Sequence, residues 1–250
     1  MRVLILCAFL LTSIAQAQVV ERSTTAFSYC GLAGTTKLDL VGTLNLPSGH
    51  GKVEVERERG GIEIKTKAEH LVPAGVFGAE YLTYVLWAIP PNGSPLNLGE
   101  MVLDSNNHAK LKVMTNLQTF GLIVTAEPYF AVSQPSGVVV LENAPRAGVP
   151  TRVRYDALPA GYYIANLRPV DVKGIALMNF NPPEVNQAEN AIRIARWRNA
   201  DEYAPAALAR AESGNLPPEE TVFAAEDARL LAVMRQGNET ATCPSGSARK

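Results

Sequence analysis

The chain has 250 residues, of which 47% are hydrophobic and 19% are charged. This is enough for one large domain or two small ones, each with its own hydrophobic core. The formal net charge of -1 argues against the strongly basic surface that nucleic-acid binding requires. Beyond the N-terminus, no stretch has the ~20 apolar residues that a membrane-spanning helix needs.

The N-terminus has the pattern of a secretory signal peptide. Arg2 precedes an apolar run over residues 3–11, and Ala15-x-Ala17 follows as a cleavage pattern. We therefore expect a signal peptide over residues 1–17, cleavage after Ala17, and a periplasmic or otherwise exported protein. The alternative is a buried N-terminal strand or helix. Cys7 lacks the small preceding residue of a lipoprotein signal, so no lipid anchor is indicated.

Small and polar residues over 18–34 predict a flexible leader, and residues 237–250 predict a disordered tail. Cys30 and Cys243 lie in these two segments. They could form a disulfide, because an exported protein meets an oxidising compartment. Unpaired or intermolecular thiols fit the sequence equally well.

Strand patterns begin at residue 35. Residues 37–41 and 52–57 alternate between apolar and charged side chains, and residues 62–65 repeat this alternation after Gly60-Gly61. Two alternating runs around a glycine turn predict an antiparallel hairpin with one solvated face.

Three further runs, at residues 84–89, 120–126 and 138–141, contain no charge. The strand over 81–89 is the centre of the predicted β part. Because a one-sided sheet does not need such long uncharged runs, we expect another segment to cover part of its outer face. About eight short strands separated by Gly, Pro and Asn turns predict an antiparallel β-sandwich, Ig-like, over residues 35–145.

A connecting segment over residues 146–182 should lie along the sandwich, with a possible short strand at 174–178. A helical period then replaces the strand period. Prolines at 182–183, 205 and 217–218 mark three helix starts, and we expect Gly237 to end the last helix. Apolar stripes lie on the first helix (Val185, Ala188, Ile192, Ala195) and on the third (Ala224, Ala228, Leu231). Together these patterns predict a helical hairpin over residues 183–236.

The stripes of this hairpin consist largely of alanine, which favours helix but buries little surface. Short helices of this kind are marginal in isolation. We therefore expect the hairpin to be ordered only where it docks on the sandwich or on a partner chain. The docking residues should be Ile192, Ile194, Trp197 and Leu231.

The sequence shows no catalytic constellation, and no cofactor or metal is predicted. His50, His70 and His108 each lie at or near a predicted turn, without a partner at metal-ligand spacing. The chain has no G-x-S-x-G motif and no phosphate-binding glycine motif. We therefore predict a protein that is not an enzyme.

The aromatic residues Tyr81, Tyr84 and Trp87 are candidates for a ligand platform. On a regular strand Tyr84 points away from the other two, and packing in the core is the alternative role for all three. Trp197 should dock on a neighbouring element. Its neighbours Arg196 and Arg198 should lie on the solvated side of the first helix.

Two sets of segments resemble a known family. Residues 81–89, 97–100, 117–132 and 138–143 resemble the N-terminal β domain of a group of uncharacterised exported proteins from acidobacteria-like bacteria. Residues 188–196, 200–205 and 224–230 are similar to the alanine-rich helical-hairpin domain of unknown function that follows it there. Longer relatives continue into an OmpA-like peptidoglycan-binding domain, which is absent here, so the resemblance does not imply peptidoglycan anchoring.

The signal peptide, the lack of a reactive site and the resemblance together predict a non-catalytic periplasmic or envelope protein. It would act through contacts with another envelope protein. One alternative is a module that binds a ligand such as a glycan, with the sandwich as platform. A second is an extracytoplasmic regulatory domain, because residues 84–87 and 98–100 are similar to the β domain of anti-sigma factors. Those factors carry a transmembrane helix that this sequence lacks.

Overall fold

The computed structural model describes residues 19–31, 34–144, 151–164 and 182–241. Within these ranges the protein is mainly antiparallel β with a C-terminal helical part. The strands are β1 Val20–Ser28, β2 Thr36–Gly42, β3 His50–Glu58, β4 Gly61–Glu69, β5 Thr83–Ile89, β6 Leu96–Glu100, β7 Ala109–Thr115, β8 Thr119–Glu127, β9 Val139–Asn143 and β10 Thr151–Ala157. The helices are α1 Pro183–Trp197, α2 Ala200–Tyr203, α3 Pro205–Glu212 and α4 Pro218–Ala241.

The described strands form one nearly closed, barrel-like sheet. Its pairing runs from β7 through β4, β3, β2, β9, β8 and β5 to β6. β6 then lies beside β7, where a Cβ atom at Gly99 would stand 3.5 Å from the Leu111 side chain. β1 and β10 extend the sheet from β8. The division of these strands into two facing sheets, as in an Ig-like sandwich, stays a prediction.

The hairpin predicted around Gly60-Gly61 is confirmed as the β3–β4 pair. Val55 lies opposite Ile64 in its ladder, and both side chains are buried. Glu54 and Lys65, on the other face, lie opposite each other and are partly exposed. The alternation in the sequence therefore directs one face of this hairpin into the core.

Strand β8 connects most of the sheet. One edge pairs with β5 along Gly121–Glu127, and the other pairs first with β1 and then with β9. All seven residues of β5 are buried, which confirms that both faces of the predicted central strand are covered. Its side chains leave from both faces of the sheet, because neighbours in a strand point in opposite directions, and residues 84–89 all belong to one hydrophobic core.

The expectation of a flexible leader over residues 18–34 is wrong for the part that forms β1. This strand pairs with β10 from Val20↔Ala157 to Ala26↔Thr151, and with β8 at Phe27 and Ser28. Its two Thr residues suit a strand, but its polar residues give little hydrophobic signal. β10 lies in the predicted connecting segment. The signal peptide at 1–17 and the possible strand at 174–178 lie outside the described residues.

Prolines mark helix starts as predicted, with α1 at Pro183, α3 at Pro205 and α4 at Pro218. The described helices number four rather than three, and their arrangement as a hairpin stays a prediction. Gly237 does not end α4, which continues to Ala241, since a glycine inside a helix costs only about 1 kcal/mol. The rest of the predicted tail, 242–250, lies outside the described residues. None of the helices in the described ranges has the length and apolar character needed to cross a membrane.

The helices pack on the β part and share its hydrophobic core. Ile194 is fully buried there, as predicted, while Ile192 and Trp197 are half-buried against the same core. Leu231 is 37% exposed, so it does not dock on the β part, and its docking on a partner chain stays a prediction. It lies on the outer side of α4, whose inner side places Val222 and Ala225 in the core.

Candidate functional site

The predicted aromatic platform lies inside the molecule. Trp87 and Tyr84 are fully buried, and Tyr81 is 1% exposed. The Trp87 Nε1–H donates a hydrogen bond to Thr125 Oγ1 at 2.8 Å, and the Tyr84 hydroxyl donates to the Val72 carbonyl at 2.6 Å. Because a surface platform needs exposed ring faces, the platform interpretation is wrong for these three residues. Core packing, the alternative, describes them.

A fully buried carboxyl, Glu127, is linked to Trp87 through the Thr125 hydroxyl. The Thr125 hydroxyl donates to Glu127 Oε1 at 2.5 Å, and the Ser136 backbone N–H donates to the same oxygen at 2.7 Å. Burial raises the pKa of Glu127 to about 8 in spite of these hydrogen bonds. A carboxyl with a raised pKa suits acid–base chemistry. Its complete burial, however, keeps it away from any substrate outside the core.

Two residues of α4, Glu226 and Arg229, form a buried ion pair, and Glu226 also accepts hydrogen bonds from the loop between β8 and β9. Arg229 donates from Nε to Glu226 Oε2 and from Nη2 to Glu226 Oε1, both at 2.7 Å, and the two side chains are only 5% and 6% exposed. The Tyr129 hydroxyl donates to Glu226 Oε2 at 2.6 Å, and the Ser133 backbone N–H donates to Oε1 at 3.0 Å. Both carboxylate oxygens therefore have two donors each.

The electrostatics of this ion pair favour two charged groups. Burial alone would raise the pKa of Glu226, but hydrogen bonds from Arg229, Tyr129 and Ser133 hold it below its ordinary value. Burial likewise opposes the charge on Arg229, yet contact with Glu226 raises the pKa of the guanidinium well above its ordinary value. A buried pair of this kind persists because each charge satisfies the other.

Two amides on one face of α1 make the second polar attachment. Asn190 Nδ2 donates to the carbonyls of Glu80 at 2.9 Å and Pro128 at 3.1 Å. Gln187 Oε1 accepts from the Phe130 backbone N–H at 2.7 Å. Both amides are buried, so α1 contacts the β8–β9 loop through directional hydrogen bonds as well as apolar surface.

Sequence reasoning missed these four polar residues, although a signal was present. Gln187 and Asn190 are three residues apart, as are Glu226 and Arg229, and each pair interrupts a stripe of alanines. A polar side chain within an apolar stripe indicates a buried partner elsewhere in the fold.

An open cleft of about 690 Å³ lies beside the start of α1. Its apolar lining includes Pro73, Ala74, Val76, Met101, Leu103 and Pro183. The polar side chains in its wall bind one another, because Thr83 Oγ1 and Gln187 Nε2 both donate to Glu100 Oε1 at 2.6 Å.

The outer face of α4 carries an exposed apolar row, which we call the α4 stripe. It consists of Phe223, Leu231 and Met234, which are 51%, 37% and 64% exposed. Spacings of eight and three residues place them on one side of a helix. The Phe223 ring also contacts Phe130 edge-on, with ring centres 5.4 Å apart.

The predictions around Trp197 are partly correct. Trp197 packs against the main core, and Arg196 lies at the surface with an ion pair to Glu212 at 2.5 Å. Arg198 is not on a solvated face. Its guanidinium carbon lies 3.7 Å above the ring centre of Tyr162, and Nη2 donates to the Tyr162 carbonyl. A cation over an aromatic face is a stabilising contact.

The structure also places the remaining candidate residues. Cys30 is exposed and forms no disulfide within the described ranges, and Cys243 lies outside them, so their pairing stays a prediction. His50 and His70 come together with Glu69, although the sequence showed no partner for either histidine. Pairing of β3 with β4 brings them together across a separation that no local spacing rule detects.

Comparisons of the chain with protein-family models, with curated proteins and with solved structures found no match. The resemblance to the exported family therefore stays a prediction.

Proposed function

We propose that this chain is a non-catalytic protein of the bacterial envelope that acts by binding another envelope protein through α4. The α4 stripe is the observation that supports this proposal. Single apolar side chains at the surface are ordinary. Phe223, Leu231 and Met234, in contrast, share one side of a helix and are all exposed, which is the pattern of a helix that contacts a partner.

The residues beneath the α4 stripe support the same role. The Glu226–Arg229 ion pair lies on the inner side of the same helix and binds the β8–β9 loop. The orientation of the helix is therefore determined before a partner arrives. A surface that is already ordered loses less conformational freedom on binding.

In this proposal the signal peptide over residues 1–17 exports the chain. The barrel-like β part and the helices would correspond to the N-terminal β domain and the helical-hairpin domain of the exported family that the sequence resembles. The α4 stripe then provides the contact surface, and no catalytic group, metal or cofactor takes part in this contact.

Site-specific photocrosslinking in intact cells tests the proposal. A photoreactive amino acid is placed at Phe223 or Met234, and, as a matched control, at Leu44, which is 99% exposed but lies in the turn after β2. We expect both α4 positions to crosslink to the same envelope protein and the Leu44 position not to. Identical products from all three positions, or no product from α4, would contradict the proposal.

A small-ligand-binding function is the second candidate, and the cleft beside Glu100 is the observation that favours it. Its volume of about 690 Å³ falls within the range of small-molecule sites. Ligand-observed NMR screening of glycan and small organic fragments tests this candidate, with a Gly75→Trp variant to fill the cleft entrance. Fragments that bind both proteins equally would place their site elsewhere.

A further inference from the structure

The ends of β3 and β4 bring together two of the three histidines of the chain. His50 begins β3 and lies opposite Glu69 in the ladder, and His70 follows Glu69 directly. One nitrogen or oxygen atom from each of these three side chains lies within 4.8 Å of the others. The rings of His50 and His70 face each other with centres 4.7 Å apart.

One ring nitrogen of His50 is turned toward the cluster. His50 Nδ1 lies 3.3 Å from the Ser48 carbonyl oxygen, which leaves Nε2 for the cluster. Nε2 lies 3.4 Å from Glu69 Oε2, a separation that one bound cation can bridge. An orienting bond from the other ring nitrogen is typical of metal-binding histidines.

The backbone of His70 supports the same convergence. Its φ angle is +54°, in the left-handed region that residues other than glycine seldom adopt. In a regular strand, Glu69 and His70 would point to opposite faces. The left-handed backbone ends this alternation, so that their side chains reach the same point. Unusual backbone conformations of this kind occur often at binding sites.

We propose that His50, Glu69 and His70 form a surface site for one divalent transition-metal ion, with Zn²⁺ as the reference ligand. The site goes beyond the envelope-protein function proposed above and does not depend on it. Two imidazole nitrogens and one carboxylate oxygen are a donor set that Zn²⁺ accepts, with water in the fourth position.

The distances fit such an ion after small side-chain movements. Atoms no more than 4.8 Å apart have a common point within about 2.8 Å of each, whereas bonds from zinc to nitrogen are about 2.0–2.1 Å long. Exposed side chains can close this difference by rotation. Lys67 Nζ binds Glu69 Oε1 at 2.5 Å, which leaves Oε2 available to the ion.

Isothermal titration of ZnCl₂ into the metal-free full chain at neutral pH tests the site. We expect the chain to bind one Zn²⁺ ion at this site. The affinity should fall by about 100-fold or more in His50→Gln and in His70→Asn, because even residues that contact a metal only indirectly contribute about 10–100-fold. Asn tolerates the left-handed backbone, so the second variant keeps the local fold. As a control, Glu58→Gln changes a carboxylate of the separate Glu56, Glu58 and Glu63 cluster and should bind Zn²⁺ within about two-fold of the wild type.

All these variants keep Cys30 and Cys243, so zinc held by thiolates would survive in them. Equal affinity of the wild type and a His50→Gln/His70→Asn double variant would overturn the proposal. The absence of binding by the wild type at millimolar Zn²⁺ would overturn it as well. Circular dichroism confirms that each variant is folded before titration.

Discussion

Replacing Arg229 by methionine should destabilise the protein strongly. Arg229→Met keeps an unbranched apolar stem but leaves the Glu226 carboxylate, which is 6% exposed, without its counter-charge. Tyr129 and Ser133 still donate to it, but neutral donors do not replace a cation. Breaking a buried ion pair from one side costs about 3–5 kcal/mol. That is a large part of the 5–15 kcal/mol that typically stabilises a folded protein.

Urea unfolding, followed by far-ultraviolet circular dichroism, measures this loss. The matched control is the double variant Glu226→Gln/Arg229→Met, which removes both charges. We expect it to be more stable than Arg229→Met alone, because replacing both partners of a buried pair is often nearly neutral. A single variant that loses less than about 1 kcal/mol, or a double variant as unstable as the single one, would refute the role given to this pair.

Acid supplies an independent check on the same pair. The pKa of Glu226 in the folded protein lies below its ordinary value of 4.5, so its ionised form contributes stability that is fully present above pH 4.5. This contribution is lost as the pH falls through the lowered pKa. We expect the double variant Glu226→Gln/Arg229→Met to lose less stability than the wild type as the pH falls below 4.5.

Three further predictions concern other parts of the fold. Glu127 has a pKa of about 8 against an ordinary 4.5, so the wild type should lose stability relative to Glu127→Gln as pH rises between these values, by roughly 3 kcal/mol at pH 7. Equal pH profiles in urea titrations would contradict this. Gly121→Ala should lose about 1–3 kcal/mol, because its Cβ would come 2.7 Å from a backbone oxygen of β1. Gly237→Ala is the control. The Cβ atom added there would meet no atom of another part of the fold within 4 Å, so this variant should not lower the melting temperature. Ile194→Ala should lose about 2–5 kcal/mol and Leu231→Ala less than about 0.5, and similar losses would show that Leu231 packs on the β part as Ile194 does.

Local patterns predicted the elements whose partners are close in sequence. The β3–β4 hairpin followed from alternation around Gly60-Gly61, and the helix starts followed from prolines such as Pro183 and Pro205. The lack of charge in residues 84–89 predicted a strand whose outer face is covered in part, and the whole of β5 is buried. In each case a single segment contains the physical cause, whether a turn, a fixed φ angle or a hydrophobic face.

Elements that depend on distant partners were not predictable in the same way. β1 is a strand because β10 pairs with it more than a hundred residues later, and its own Ser and Thr side chains give a weak pattern. Arg198 was predicted to be solvated because its neighbours in sequence give no sign of the Tyr162 ring that it contacts. The convergence of His50 with His70 likewise depends on strand register.

The pairing of β1 with β10 also has a consequence for the order of folding. The first strand of the described chain leaves the ribosome earliest, yet its ladder from Val20↔Ala157 onward cannot form until β10 has been made. Closing so large a loop early is entropically unfavourable, and contacts of this separation slow folding. Until then, the free edge of β1 remains open to other chains. If the chain is exported unfolded, this late closure would help to keep it unfolded until it has crossed the membrane.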